Sequence, residues 1–451
     1  MDTPKPDRFS LKKATHRGGE SGDSKVAKPA GALRNAFSKN RDKRREKQRQ
    51  LDAESPSSED APESLRVAIF SESFHPIQNG VTTSVLTLVS ELRTLGNHVW
   101  VFAPENESLH ERETNVVRFP SFVTQFNPEY PLAYPFLPRL TLTNHLEKLK
   151  LDIIHTHTPF ILGLTGADLA IKRGIPLVTT FHTLYSQYSH YITFLPEAFT
   201  QGILEAYIPW YYNRCTQILC PSHSTADYLR LQGVERPIEV VPTGVPLPSP
   251  NSISPEAKRQ VRKELEIQED TPLLLYVGRL APEKNLDWLL EVFRQLKLQS
   301  PKAILVLAGA GPLMSMLQTH AEELHLGDSI RFLGAKNRDQ MDSLYAAADV
   351  FCFPSPSETQ GLVIGEARAA GTPVVVVDAG GAPETVQEGI DGFRVAEGDS
   401  AGFVNRIVSL LQDPALRSRL SQNALINAKE HTAEKMTAKI LSVYRKAGVG
   451  C

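Results

Sequence analysis

Leu273-Leu274-Leu275-Tyr276-Val277-Gly278-Arg279-Leu280-Ala281-Pro282-Glu283-Lys284-Asn285 is the stretch that decides the fold. Five consecutive apolar residues form a short strand, glycine and proline break it into a loop, and a stretch of helical period follows. A strand feeding a helix in this way is the opening of a parallel sheet covered by helices. The loop also carries two cations five residues apart, Arg279 and Lys284. A guanidinium offers a planar fork and an ammonium a point charge, and both suit phosphate oxygens.

Working outward, the same alternation recurs. Strands are expected at Ala303-Ala308, Ile330-Leu333, Val350-Pro354 and Pro373-Val377 after this one, with helices between them. An earlier series precedes it, at Arg66-Ser71, Val99-Ala103, Ile153-Thr156, Leu177-Phe181, Ile218-Cys220 and Glu239-Val241, interleaved with helical stretches such as Val81-Leu95 and Gly163-Arg173. Between the series lies Val245-Asn251, with three prolines, and a charged helical stretch after it. The expected organisation is a tail over 1-64, a first doubly wound domain over 65-245, a hinge over 246-270, a second doubly wound domain over 271-430 and a terminal helical stretch over 431-451. The fold class is therefore α/β, two Rossmann-like doubly wound domains facing across a cleft. Ligands of such sheets bind beyond the carboxyl ends of the strands, which places functional residues in the loops that follow them.

Composition agrees with a soluble two- or three-domain protein: 451 residues, 41% hydrophobic and 22% charged. The net charge of -2 gives no reason to expect nucleic acid as partner. The charge is unevenly spread, however, at +9 over residues 1-50 and -5 over 51-64. The basic run at 34-49 is read either as solvated linker or as a tether to an anionic membrane surface. Cys215, Cys220, Cys352 and Cys451 are too scattered for a disulfide framework, and no apolar run is long enough to span a bilayer. These features predict a cytoplasmic protein, peripheral on the inner face of a membrane.

After the strand at Val350-Pro354 comes Glu358-Thr359-Gln360-Gly361-Leu362, then Glu366 and Ala370-Gly371-Thr372-Pro373. The two glutamates bracket a helix start whose unpaired amides suit an anion. Together with Gly278-Arg279-Leu280 and Lys284-Asn285, this constellation resembles the donor half of the retaining GT-B glycosyltransferases of glycosyltransferase family four. Asn79-Gly80-Val81 and Thr180-Phe181-His182-Thr183 extend the resemblance into the first domain. It implies that Arg279 and Lys284 clamp the diphosphate of a nucleotide sugar, Glu366 holds the ribose and Glu358 meets hydroxyls of the transferred sugar. By the same resemblance the Gly80 loop would approach the phosphates, Gly361 and Leu362 would open the donor-side helix, His182 would lie near the reacting carbon, 65-245 would be the acceptor domain and 271-430 the donor domain, and the terminal helix over 431-451 would cross back to the first domain. No cofactor is expected. No Asp-x-Asp occurs in the chain, so the clamp is read as needing no metal.

Many relatives carry Gly-Phe where this chain has Thr359-Gln360. That departure, and the run His182-Thr183-Leu184-Tyr185-Ser186-Gln187-Tyr188-Ser189-His190-Tyr191, are similar to the diacylglycerol glucosyltransferases. Tyr185, Tyr188 and Tyr191 become candidate acceptor contacts, against the alternative of a packed aromatic stripe. The implied reaction is transfer of glucose from UDP-glucose to diacylglycerol. Its rivals are mannose transfer from GDP-mannose to phosphatidylinositol or a glycolipid, transfer to a soluble polysaccharide, nucleotide-sugar epimerisation, and a non-catalytic membrane tether. His155 and His157 share a strand face but have no third ligand at useful spacing, so they read as strand-end structure. Gly309-Ala310-Gly311 opens like a dinucleotide fingerprint, but Met314 stands where its third glycine belongs.

Overall fold

The computed structural model describes residues 64–106, 114–124, 127–134, 149–184 and 197–449. Apart from Ser64, the tail expected over 1-64 lies outside them, as do Tyr185, Tyr188 and Tyr191.

The first half comprises β1 (Arg66–Phe70), α1 (Gly80–Thr94), β2 (His98–Pro104), β3 (Val116–Phe119), β4 (Ser121–Thr124), β5 (Asn127–Ala133), β6 (Ile153–Thr156), α2 (Ile161–Arg173), β7 (Leu177–Thr180), α3 (Glu197–Tyr212), β8 (Gln217–Cys220), α4 (His223–Leu231) and β9 (Ile238–Val240). β4 and β5 pair antiparallel with each other. The remaining strands form one parallel sheet in the order β3-β2-β1-β6-β7-β8-β9. Alternate residues of β1 serve opposite faces, as a pleated strand requires. Val67 and Ile69 pack with Val85 and Leu88 of α1, whereas Ala68 and Phe70 pack with Leu162 of α2 and Tyr211 of α3.

The second half comprises α5 (Pro255–Glu264), β10 (Leu273–Val277), α6 (Leu286–Lys297), β11 (Ile304–Ala308), α7 (Met314–Glu323), β12 (Ile330–Gly334), α8 (Arg338–Ala347), β13 (Val350–Phe353), α9 (Leu362–Ala369), β14 (Val374–Val377), β15 (Gly392–Val395), α10 (Ser400–Gln412), α11 (Pro414–Ala428) and α12 (Ala433–Val449). Its six strands form a second parallel sheet, ordered β12-β11-β10-β13-β14-β15. Strand order reverses beside the first strand of each sheet, between β1 and β6 and between β10 and β13. These switch points are where a doubly wound sheet opens a crevice for a ligand.

Two features differ from the sequence expectation. Much of 246-270 belongs to the second body: Ile253, Val261, Leu265 and Ile267 pack on its core, and Arg262 pairs with Asp349 at 2.9 Å. The apolar face of α5 explains this, since it would otherwise be left in water. β3, the β4–β5 hairpin and β15 were also not anticipated, because polar residues interrupt each of these strands. At the chain end, α12 lies against the first sheet, burying Met436, Leu441 and Tyr444 with Val67 and Ile69. Each large apolar side chain buried this way contributes about 1.5–3 kcal/mol.

Candidate active site

The loop after β10 holds its shape through its neighbour. Leu280 donates its amide to the Ala310 carbonyl at 3.0 Å and accepts from the Leu313 amide at 3.0 Å, so the loops after β10 and β11 run on as a ladder. This close approach needs glycine, because a Cβ on Gly309 would lie 1.8 Å from the Gly278 carbonyl oxygen. The Gly309-Ala310-Gly311 run is therefore packing that fixes the backbone of Arg279. The Arg279 carbonyl accepts from the buried Tyr276 hydroxyl at 3.1 Å.

The loop after β13 is tied to the same place. Ser355 and Ser357 both donate their hydroxyls to the Glu283 carbonyl at 3.2 Å, and Asn285 reaches the Pro354 carbonyl. The result is an ion pair between Lys284 Nζ and Glu358 Oε1 at 2.5 Å, with only 15% and 17% of the two side chains exposed. Gly361 then enters α9 in the left-handed conformation, φ 75°, with no side chain capping the first amides. On the second turn Glu366 accepts from the Tyr345 hydroxyl at 2.8 Å. Tyr345 is fully buried on α8, and its carbonyl takes the Thr372 hydroxyl. Tyr345 orients Glu366, and nothing in its sequence surroundings marks it out.

The first body meets this site directly. Asn79 caps α1 by accepting from the Thr82 amide at 2.8 Å, while its amide nitrogen donates to Ser73 Oγ. That places Gly80 against the second body, where a Cβ would lie 3.9 Å from Leu362 Cδ1. Thr359, the residue after Glu358, donates its hydroxyl to the His182 carbonyl at 3.0 Å. Gln360 accepts from the Thr243 amide at 2.8 Å and donates to the Thr243 carbonyl at 2.9 Å. Glu384 accepts from the amides of His223 and Ser224 at the start of α4, each at 2.7 Å. The Thr359-Gln360 departure thus sits on the contact between the two bodies.

His182 is supported from behind. His157 Nδ1 lies 2.8 Å from His182 Nε2, and the two ring planes are inclined by only 19°. The His155 ring lies 4.1 Å from that of His157, with its own nitrogens on the Tyr444 hydroxyl at 2.6 Å and Thr180 Oγ1 at 2.7 Å. Burial lowers His155 to about 3 and His182 to about 4, and holds His157 well below its ordinary value. All three are neutral at pH 7. Reading His155 and His157 as mere strand-end structure therefore missed a support for a site residue. The available signal was that β7, which delivers His182, runs beside β6.

Glu72, in the loop after β1, accepts from the Leu162 amide at 2.5 Å at the start of α2, and its Oε2 is buried with no partner. Burial pushes its carboxyl up to about 7. The aromatic run of α3 divides. Tyr211 and Tyr212 are core residues, whereas Trp210 remains 44% exposed with Arg214 over its ring at 4.6 Å.

The sequence profile described as Glycosyltransferase Family 4 matches residues 78–248, and that described as Glycosyl transferases group 1 matches 257–426. The alpha-monoglucosyldiacylglycerol synthase of Streptococcus pneumoniae is 32% identical over 69% of this chain and 70% of its own. This chain is a family-four glycosyltransferase. As a hexosyltransferase of this family it is also similar to a GDP-mannose-dependent alpha-mannosyltransferase of Corynebacterium glutamicum, 29% identical over 84% of this chain and 88% of that one. The GT-B architecture is shared with Anabaena HepE, solved with UDP, at a TM-score of 0.67, 21% identity, and coverage of 84% of this glycosyltransferase and 99% of HepE.

Proposed function

We propose that the enzyme transfers glucose from UDP-glucose to 1,2-diacylglycerol with retention of configuration, forming a glycolipid at a membrane face. The observation that carries the chemistry is the Lys284–Glu358 pair, joined through Thr359 to His182 across the two bodies. In this reading Lys284 and Arg279 offset charge gathering on the leaving diphosphate, an electrostatic role that requires fixed cations in a partly dry site. Glu358, held by Lys284, accepts from sugar hydroxyls, Glu366 accepts from the ribose, and neutral His182 contacts the sugar. Gly80, Gly361 and Leu362 let backbone approach the donor.

The bond from the anomeric carbon to the diphosphate oxygen breaks as the bond to the acceptor oxygen forms on the same face. The acceptor's proton passes to the departing phosphate, so no protein carboxylate is required as nucleophile. Glucose and diacylglycerol are favoured by the likeness to the pneumococcal synthase and by the Glu358-Thr359-Gln360-Gly361 motif. The mannosyltransferase likeness favours a second reading, GDP-mannose with a phosphatidylinositol or glycolipid acceptor. Among the described residues no helix is long and apolar enough to cross a membrane. In this reading the enzyme meets its lipid at the membrane surface, aided by the basic run 34-49.

The test is to offer radiolabelled UDP-glucose and GDP-mannose, in parallel, to diacylglycerol and phosphatidylinositol in mixed micelles. Glucose-labelled diacylglycerol is expected. Mannose-labelled lipid would replace the donor assignment, and hydrolysis of donor with no labelled lipid would overturn the acceptor.

A further inference from the structure

We propose that His157 is a positioning residue that fixes His182 as its Nδ1–H tautomer, so that the nitrogen His157 leaves unoccupied is a hydrogen-bond donor to the transferring sugar. The use made of that donor rests on the proposed function; the tautomer itself rests on hydrogen-bond geometry and on burial.

His157 Nδ1 and His182 Nε2 are 2.8 Å apart, and between two neutral rings this contact holds a single hydrogen. Two arrangements satisfy it. If His182 Nε2–H donates, His157 must carry its other hydrogen on Nε2. That atom is buried without a partner, so the arrangement strands an N–H in the protein interior. If His157 Nδ1–H donates instead, the stranded atom is only a lone pair. Orphaned buried N–H groups are the rarer and costlier case, whereas under-satisfied acceptors are better tolerated. The second arrangement is therefore selected, and it leaves the hydrogen of His182 on Nδ1.

The surroundings hold this choice. His157 is 1% exposed and cannot turn to recruit water. Its ring is backed by His155, which both Tyr444 of α12 and Thr180 of β7 hold in place. The His182 main chain is fixed from the other body by Thr359. The lowered basicity of all three rings keeps a second proton out of the row. A donor at His182 Nδ1 recognises the oxygen of a sugar hydroxyl, where an acceptor nitrogen would demand the hydroxyl's hydrogen and compete with Glu358.

The experiment is a long-range proton–nitrogen correlation spectrum of full-length protein labelled with 15N-histidine, assigned with His157→Asn and His182→Ala. The expected spectrum shows His182 protonated at Nδ1 and bare at Nε2; protonation at Nε2 overturns the proposal. Kinetics supply a second arm. Asn at 157 offers an amide hydrogen in place of Nδ1–H and should keep kcat/KM within about threefold, while His157→Leu should lose roughly ten- to hundredfold with its melting temperature checked alongside. Equal activity of the Leu and Asn variants would overturn the positioning role. If His182→Ala alone retains full turnover, the functional reading of His182 fails, and the spectrum still decides the tautomer.

Discussion

Replacing Gln360 by alanine should weaken turnover by loosening the contact between the two bodies while leaving each body folded. Gln360 is only 7% exposed, and its side-chain amide pairs with both the N–H and the carbonyl of Thr243, at 2.8 and 2.9 Å. A net contribution of about 1 kcal/mol per bond gives ~2 kcal/mol for the pair, or roughly a 30-fold shift in the balance between closed and open arrangements. The same closed arrangement brings Gly80 against Leu362 and Thr359 against His182, so its population sets the population of assembled sites. The assay is kcat/KM for donor, followed alongside small-angle scattering. An increase in radius with kcat/KM reduced by up to about 30-fold is the expected result. Gln360→Glu sharpens the test, because it keeps the acceptor for the Thr243 amide but sets a carboxylate oxygen against the Thr243 carbonyl. Wild-type kcat/KM and unchanged scattering in both variants would show that Gln360 does not hold the two bodies together.

Other consequences follow from the same contacts. Tyr345→Phe removes the hydroxyl that orients Glu366 and should raise KM for the nucleotide sugar several-fold with kcat little changed, measured by initial rates. Tyr444→Phe removes a buried hydrogen bond to His155 and should cost about 1 kcal/mol of stability, read from denaturant midpoints. Each of the three histidines has its pKa lowered in the folded state, so below about 6.5 the unfolded chain takes up protons that the folded chain refuses. Stability should therefore fall as pH drops from about 6.5 towards 4. Glu72 acts in the opposite sense: its pKa is raised to about 7, so from pH 7 down to about 4.5 the folded state binds the proton more tightly and gains stability. Glu72→Gln should thus steepen the acid loss and be neutral or stabilising at pH 8, and a flatter acid profile in a thermal melt would contradict this.

How much of this was legible in the sequence depends on the range of the interaction. Strands such as Leu273–Val277 and Val374–Val377 announce themselves because both faces are buried and the residues are uniformly apolar. The pairing of Lys284 with Glu358 was foreshadowed by two loops following strands that lie side by side. Contacts that cross from one body to the other left no such trace. Thr359-Gln360 stood out only as a departure from relatives, with no sign that its partners are His182 and Thr243. Tyr345 and Tyr444 are core aromatics whose hydroxyls also orient Glu366 and His155, across sequence separations of 21 and 289 residues that no local pattern signals. His157 was set aside because a metal needs further ligands, when its actual partner is another histidine in the loop after the neighbouring strand.

The proposed function is hexose transfer to lipid at the cleft holding Lys284 and Glu358. It is tested most directly by incubating UDP-[14C]glucose and diacylglycerol micelles with the wild-type enzyme, Lys284→Ala and Glu358→Gln at matched folded concentration. Labelled glucosyldiacylglycerol from the wild type, with at least about a hundredfold less from each variant, is the predicted result. Equal labelling by the variants, or labelled lipid from none of the three, would contradict it.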